Sequence, residues 1–114
     1  MKIKKLLLAS ALLFSAYNVS AQTQVIAHRG FWKTEGSAQN SIAALIKADS
    51  IGCYGSEFDV WLAADDQLVV NHDPTFKGKR MENSPSTALT AIKLDNGESL
   101  PTLAKYLKAA QPLH

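Results

Sequence analysis

The chain has 114 residues, with 12 Lys and Arg, 10 Asp and Glu, and one cysteine. A formal charge of +2 without a basic stripe argues against a nucleic-acid partner. A lone cysteine excludes an internal disulfide framework. This length supplies at most one small domain with a modest core.

The first 21 residues are typical of a secretory signal peptide. Three lysines precede an apolar run over residues 6–17, and Val19-Ser20-Ala21 is a small-residue cleavage site. The run is shorter than the ~20 residues that a membrane-spanning helix needs. Cleavage after Ala21 removes three of the 12 basic residues, leaving nine against ten acidic residues over 93 positions. We therefore expect a near-neutral exported chain without stable membrane insertion, most simply in a bacterial periplasm.

Strands and helices alternate in the first half of the remaining chain. Gln24–Ala27 predicts a short strand buried on both faces, which runs into the tripeptide His28-Arg29-Gly30. The next helix is predicted to be capped by Asn40 or Ser41 and to end at Gly52. Its expected apolar face consists of Ile42, Ala43, Leu45 and Ile46. A strand, a helix and a further strand in this order predict parallel strands and an α/β fold.

Two more strands and a second helix are predicted further along the chain. Glu57–Leu62 and Leu68–Asn71 are the strands, and a polar loop is expected over Lys77–Pro85. Leu100–Gln111 predicts an amphipathic helix with Pro101 in its first turn. The predicted order is therefore strand, helix, strand, strand, helix.

Two carboxylates share one face of the second predicted strand. Glu57 and Asp59 are two residues apart, so both side chains project to the same side. A doubly negative site is costly to bury unless a cation fills it, and Ca²⁺ and Mg²⁺ both prefer oxygen ligands. The pair is therefore a candidate cation site, and a solvated strand face is the alternative.

Histidines follow two of the predicted strands. His28 and His72 are suited to act as general base and general acid on a phosphate ester, whereas a hydrogen-bonded structural role is the alternative for each. The planar guanidinium of Arg29 suits phosphate oxygens, with an ion pair to Asp73 as the alternative. Active sites of parallel α/β barrels lie just after the strands, so these residues are expected to share one site.

Five segments at linked spacings match a known family. They are Ile26-Ala27-His28-Arg29-Gly30, Gln39-Asn40-Ser41, Glu57-Phe58-Asp59-Val60, His72-Asp73-Pro74-Thr75 and Leu100-Pro101-Thr102-Leu103. Together they resemble the N-terminal part of glycerophosphodiester phosphodiesterases, over essentially all of the chain after the signal peptide. The resemblance implies a TIM-type (β/α)8 barrel, of which residues 22–114 are the N-terminal portion, with a family insertion over Asp73–Ser99.

The resemblance also implies a reaction and the residues that perform it. The family hydrolyses glycerophosphodiesters to glycerol phosphate and an alcohol, and it uses a divalent cation, commonly Ca²⁺ or Mg²⁺. By position, His28 and His72 are expected to be the acid–base pair, in either order. Arg29 is the expected phosphate contact, and Glu57 and Asp59 are the expected metal ligands.

Two features depart from the family pattern. Gln39 stands where the family often has Glu before the Asn-Ser pair, which removes a charge from the first loop. The family also has a metal-binding Glu on a later strand, and 93 residues supply only about the first quarter to third of a barrel of ~250 residues. We therefore expect a fragment or truncated product of a larger enzyme. It should fold poorly alone, because an unclosed sheet exposes strand edges.

Two other interpretations stay open on the sequence. Phospholipase D-like and phosphoinositide-cleaving enzymes have similar barrels with paired histidines and a metal, so a relative with such a substrate is one of them. The other is a catalytically incompetent fragment or a non-catalytic periplasmic binding module, which would bind metal or anion without hydrolysis.

Overall fold

The computed structural model describes residues 21–114, so the predicted signal peptide lies, apart from its last residue, outside the described residues. The elements are β1 (Ile26–His28), α1 (Ile42–Ser50), β2 (Gly55–Glu57), β3 (Val60–Leu62), β4 (Leu68–Val70), β5 (Thr75–Phe76), β6 (Lys79–Arg80), a 3₁₀ helix (Met81–Asn83), α2 (Ser86–Thr90) and α3 (Leu103–Ala110). Over the described range, every helix is too short or too polar to cross a bilayer.

β1 and β2 are adjacent parallel strands joined through α1, which confirms the predicted α/β arrangement. Their register places Ile26 opposite Gly55 and His28 opposite Glu57. Because the strands are parallel, both end at the same edge of the sheet. The prediction that β1 is buried on both faces is wrong: Ile26 is 58% exposed, since within residues 21–114 β1 pairs with β2 alone.

Both ends of α1 are set by local hydrogen bonds, as the sequence predicts. The Ser41 hydroxyl accepts from the Ala44 N–H at 3.0 Å and so caps the N-terminus. Beyond the C-terminus Gly52 adopts a φ of +83°, and the Cys53 N–H donates to the Ala48 carbonyl at 3.0 Å. This is a Schellman ending, which favours glycine because its left-handed backbone is strained for other residues.

The buried face of α1 differs from the predicted one. Ala44, Leu45 and Ala48 are its buried residues, whereas Ile46, expected on the apolar face, is 46% exposed. The reason is the close approach of the helix to Gly30, which meets it at Ala44. A small side chain is needed at that contact, so the larger Ile46 lies away from it.

The predicted strand Glu57–Leu62 is in fact two strands. β2 ends at Glu57, and Phe58 and Asp59 lie between it and β3. β2 pairs in parallel with β1, whereas β3 pairs antiparallel with β4. The chain changes partner between the two pairings, so no single strand runs through both.

The segment predicted as a polar loop, Lys77–Pro85, also contains regular structure. β5 and β6 form an antiparallel hairpin, and the 3₁₀ helix after it places Met81 in the core with no exposed surface. A single buried methionine among polar neighbours has no periodic pattern. For that reason the sequence did not predict the element.

α3 begins later than predicted. The Thr102 hydroxyl accepts from the Lys105 N–H at 3.2 Å and caps the helix, so Pro101 precedes it rather than lying in its first turn. The Pro101 carbonyl instead accepts from the Val70 N–H of β4 at 2.9 Å. The extended backbone at this point is held by β4, which delays the helix.

Two hydrophobic clusters meet at β4. The first contains the buried residues Ala38, Ala63, Val69, Met81, Leu89, Ile92, Leu94 and Leu100, and the second contains Leu45, Val70 and Tyr106. Successive residues of a strand point to opposite faces, so Val69 belongs to the first cluster and Val70 to the second. β4 therefore packs against the segment over residues 73–99 on one face and against α1 and α3 on the other.

Replacing Gly30 by alanine should lower the free energy of unfolding by about 3 kcal/mol, as the sum of backbone strain and overpacking. Gly30 has a φ of +80°, and an added Cβ would lie 2.6 Å from the Ala44 Cβ and 2.7 Å from its carbonyl carbon. Gly52→Ala is the matched control, because its φ is +83° with no atom within 4 Å of an added Cβ. We expect the control to cost about 1–2 kcal/mol. Urea unfolding of the complete protein measures both, and equal losses would contradict the close contact.

Candidate active site

The ends of β1 and β2 gather four of the predicted site residues, which we call the strand-end cluster: His28, Arg29, Glu57 and Asp59. His28 Nε2 lies 3.8 Å from Glu57 Oε2, and the Arg29 backbone N–H donates to the same oxygen at 3.1 Å. Arg29 Nε lies 4.0 Å from Asp59 Oδ2. The Arg29 side chain is 19% exposed and that of His28 is 70% exposed, so the cluster opens to solvent at the histidine.

The loop before α1 supports the cluster. Asn40 is 3% exposed; its Nδ2 donates to Asp59 Oδ2 at 3.0 Å, and its backbone N–H donates to the Arg29 carbonyl at 3.0 Å. Gln39 Oε1 accepts from Arg29 Nη1 at 2.7 Å. Gln39, which stands where a Glu was expected, therefore keeps a hydrogen bond to the guanidinium but contributes no negative charge. A carboxylate at that position would neutralise more of the positive charge of Arg29 than Gln39 does.

Two residues of this site have left-handed backbones although neither is glycine. The φ angles are +60° at Arg29 and +57° at Asn40. Such conformations cost about 1–3 kcal/mol each and are concentrated at functional sites. Here they let the Arg29 N–H reach Glu57 while the Arg29 carbonyl accepts from Asn40. The hydrogen bonds of the site hold the strained backbone in place.

His72 follows β4 and is paired with its own neighbour. His72 Nδ1 lies 2.7 Å from Asp73 Oδ1, so the carboxylate orients the ring and leaves Nε2 for proton exchange. Asp73 therefore pairs with His72, not with Arg29. Within residues 21–114, His72 makes no hydrogen bond or ion pair with the strand-end cluster. Its link is through the backbone, where the Asn71 N–H donates to the Asp59 carbonyl at 3.1 Å.

A cavity of about 390 Å³ lies beside His72. Its walls come from the loop before α1 and from the segment after β4, and they include Trp32, Gln39, Asn40, His72, Asp73 and Phe76. The volume is in the range of small-molecule sites. The aromatic residues of the cavity are functional candidates that the sequence did not identify, because no motif marks them.

The carboxylates of the cluster fit a divalent cation in ligand type. Glu57 and Asp59 are partly exposed and offer the oxygen atoms that Ca²⁺ and Mg²⁺ prefer. Across residues 21–114, no group of three or more His, Cys, Asp and Glu side chains is arranged to hold a metal ion. Since these cations take about six or more ligands, the two carboxylates need further oxygen ligands from other sources.

Tyr106 lies in the second hydrophobic cluster. Burial raises the pKa of the Tyr106 phenol; the Ser56 hydroxyl opposes the increase and the charge of Glu57 adds to it. The phenol therefore remains neutral at physiological pH and adds no negative charge to that of Glu57.

Known proteins place this chain in a family. No family model matches it. A glycerophosphodiester phosphodiesterase of Caldanaerobacter subterraneus subsp. tengcongensis is 46% identical over 54 residues, which are 47% of this chain and 21% of that protein. The crystal structure of a glycerophosphodiester phosphodiesterase from Parabacteroides distasonis is similar at a TM-score of 0.79 and 55% identity, over 82% of this chain and 40% of that one. This chain belongs to the glycerophosphodiester phosphodiesterase family.

A further solved relative contains a bound reaction product. The phosphodiesterase of Oleispira antarctica, solved in complex with the product sn-glycerol-3-phosphate, is 30% identical with a TM-score of 0.65, over 79% of this chain and 40% of that one. The chain thus spans about 40% of the length of these two solved structures. Membership of the glycerophosphodiester phosphodiesterase family confirms the sequence resemblance, and residues 21–114 form part of the fold without a closed barrel.

Proposed function

We propose that the protein carrying this chain is a metal-dependent phosphoric diester hydrolase. It cleaves glycerophosphodiesters to glycerol phosphate and an alcohol. The observation that carries the proposal is the strand-end cluster, in which an arginine and a histidine meet two carboxylates at one edge of a parallel strand pair. The names of the similar proteins and the product bound to the Oleispira enzyme support the substrate class.

Charge on the phosphate is balanced by groups of the cluster. Arg29 is held by Gln39 and lies beside Asp59, so its guanidinium is positioned to bind phosphoryl oxygens. Glu57 and Asp59 would hold a divalent cation, Ca²⁺ or Mg²⁺. When bound, such a cation supplies Lewis-acid polarisation of a phosphoryl oxygen.

Proton transfer is assigned to the two histidines. One accepts a proton from the attacking oxygen, either water or a substrate hydroxyl, as that oxygen forms a bond to phosphorus. The other donates a proton to the alcohol oxygen as its bond to phosphorus breaks. Asp73 keeps the His72 ring in one orientation through Nδ1, so Nε2 is the proton-exchanging atom of that residue.

We also propose that β1 and β2 are strands of a TIM-type (β/α)8 barrel. They are parallel, α1 connects them, and the candidate site lies after the strands, as in such barrels. Val25 and Ile26 are more than half exposed among the described residues. Further barrel elements would cover these apolar side chains.

The function is tested with the complete protein expressed from its full gene. Glycerophosphoglycerol and an intact lysophospholipid are offered separately, with Ca²⁺, with Mg²⁺ or with EDTA. Release of glycerol 3-phosphate from the first and of the head-group alcohol from the second is followed enzymatically. We expect cation-dependent release from glycerophosphoglycerol. Cleavage of the lysophospholipid alone would favour the phospholipase D-like alternative. Cleavage of neither compound would favour a non-catalytic binding module.

A further inference from the structure

His72 and Asp73 form a side-chain pair in an irregular segment at the protein surface. The His72 side chain is 43% exposed and that of Asp73 is 68% exposed, so core packing fixes neither of them. A contact between two exposed side chains stabilises little. Across residues 21–114, neither residue takes part in a hydrogen bond between backbone groups. The place of the His72 ring therefore depends on whatever else holds the backbone of this pair.

The carbonyl groups of both residues accept hydrogen bonds from side chains. Trp61 Nε1 donates to the His72 carbonyl at 3.2 Å, and Asn71 Nδ2 donates to the Asp73 carbonyl at 2.7 Å. Within the described range, these are the hydrogen bonds that the two carbonyl groups make. Each carbonyl group of the pair is thus held by one N–H donor from outside the pair.

Both donors are themselves anchored. Trp61 packs against the first hydrophobic cluster and pairs with Val69 across β3 and β4. Asn71 is 8% exposed, and its backbone N–H donates to the Asp59 carbonyl at 3.1 Å. The backbone at His72 is therefore connected through Trp61 to the core and through Asn71 to the strand-end cluster.

We propose that Trp61 and Asn71 are positioning residues for His72. They hold the two carbonyl groups that fix the backbone from which the ring projects. The inference rests on the proposed function, since it assigns how that site places one of its proton-exchanging groups. Placement matters because a displacement of about 1 Å at a reacting group can lower a rate by about 100-fold.

Two substitutions separate the N–H donor of Trp61 from its ring. Trp61→Phe keeps an aromatic ring against the core and removes the donor, whereas Trp61→Gln keeps an N–H donor and removes the ring. With the complete protein and glycerophosphoglycerol, we expect Trp61→Phe to lower kcat roughly 10-fold to 100-fold and to leave KM unchanged. Trp61→Gln should retain more of the wild-type kcat than Trp61→Phe does. A lower kcat in Trp61→Gln than in Trp61→Phe would contradict the role of the donor.

Ile92→Val is the matched control for core packing. Ile92 is 8% exposed in the same hydrophobic cluster, and its backbone hydrogen bonds go to Leu89 and Leu100. It should lower the urea concentration at half-unfolding and leave kcat unchanged. An equal loss of kcat in Ile92→Val and Trp61→Phe would mean that general destabilisation causes both, and the inference would fail.

The His72→Ala background shows whether Trp61 acts through His72. Without the histidine ring there is no group for Trp61 to position, and imidazole added to the buffer is not attached to the backbone. Trp61→Phe should therefore cause no further loss in His72→Ala, with or without imidazole. A further loss as large as in the wild-type background would overturn the inference.

Relaxation of the backbone amide ¹⁵N nuclei tests the inference without a substrate. In Trp61→Phe and in Asn71→Leu, the order parameters of His72 and Asp73 should fall from about 0.85, typical of a rigid backbone, toward about 0.6. They should not change in Ile92→Val. Such a fall in a protein that cleaves neither test compound would support the anchoring of the pair and overturn the hydrolase function. Unchanged order parameters and kcat in an active protein would overturn the inference and leave the function intact.

Discussion

Replacing His72 by alanine in the complete protein should lower kcat by about 100-fold to 10,000-fold, the usual contribution of a general acid or base. The same range is expected for His28→Ala. The physical reason is that each variant loses the group that would carry a proton to or from an oxygen on phosphorus. Because the side chains of His28 and His72 are 70% and 43% exposed, the free energy of unfolding should change little. Steady-state kinetics with glycerophosphoglycerol and urea unfolding measure the two quantities.

His114→Ala is the matched control. Its imidazole is 96% exposed and pairs with Asp49, away from both histidines of the site. Imidazole in the buffer provides a second check. The cavity beside His72 is large enough to admit it, so added imidazole should restore part of the activity of His72→Ala. Wild-type turnover in both site variants would contradict the acid–base assignment.

Glu57→Gln and Asp59→Asn should each lower turnover about 100-fold or more, since loss of a few kcal/mol of transition-state charge stabilisation has that effect. Each change keeps the size of the side chain and its capacity to accept from Arg29 or Asn40. It removes only the negative charge that would hold the cation. The increase in Tm that Ca²⁺ or Mg²⁺ produces, and that EDTA reverses, should be lost in both variants.

Asp66→Asn is the control for the carboxylate experiment. Asp66 is exposed in the turn between β3 and β4, with a φ of +62° that asparagine also tolerates. It should keep the wild-type response of Tm to the cation. A wild-type increase in Tm in Glu57→Gln and Asp59→Asn would instead show that the cation binds elsewhere.

Features that depend on neighbours in sequence were predictable. Ser41 caps α1 through a hydrogen bond to a residue three positions away, and Gly52 ends it by its own backbone conformation. The parallel pairing of β1 with β2 follows from the strand–helix–strand order. That pairing is enough to bring His28 beside Glu57.

Features that depend on distant packing were not predictable. The strand over Glu57–Leu62 has an unbroken alternating pattern, and it divides only because β4 pairs with its second half. Ile46 has the periodicity of a buried residue, yet the contact between Gly30 and Ala44 turns it toward solvent. In both cases a tertiary contact overrides a local pattern.

The sequence by itself therefore determined the family, the chemical groups of the site and the two strands whose ends bring most of them together. These depend on residue identity, on spacing and on the shared edge of parallel strands. The tertiary structure alone decided that Gln39 holds Arg29, that Asp73 orients His72, and that an aromatic cavity lies beside the site. The physical reason is that the cavity is formed by side chains from segments about 40 residues apart, such as Trp32 and Phe76, which only the packing of β4 and the loop before α1 brings together.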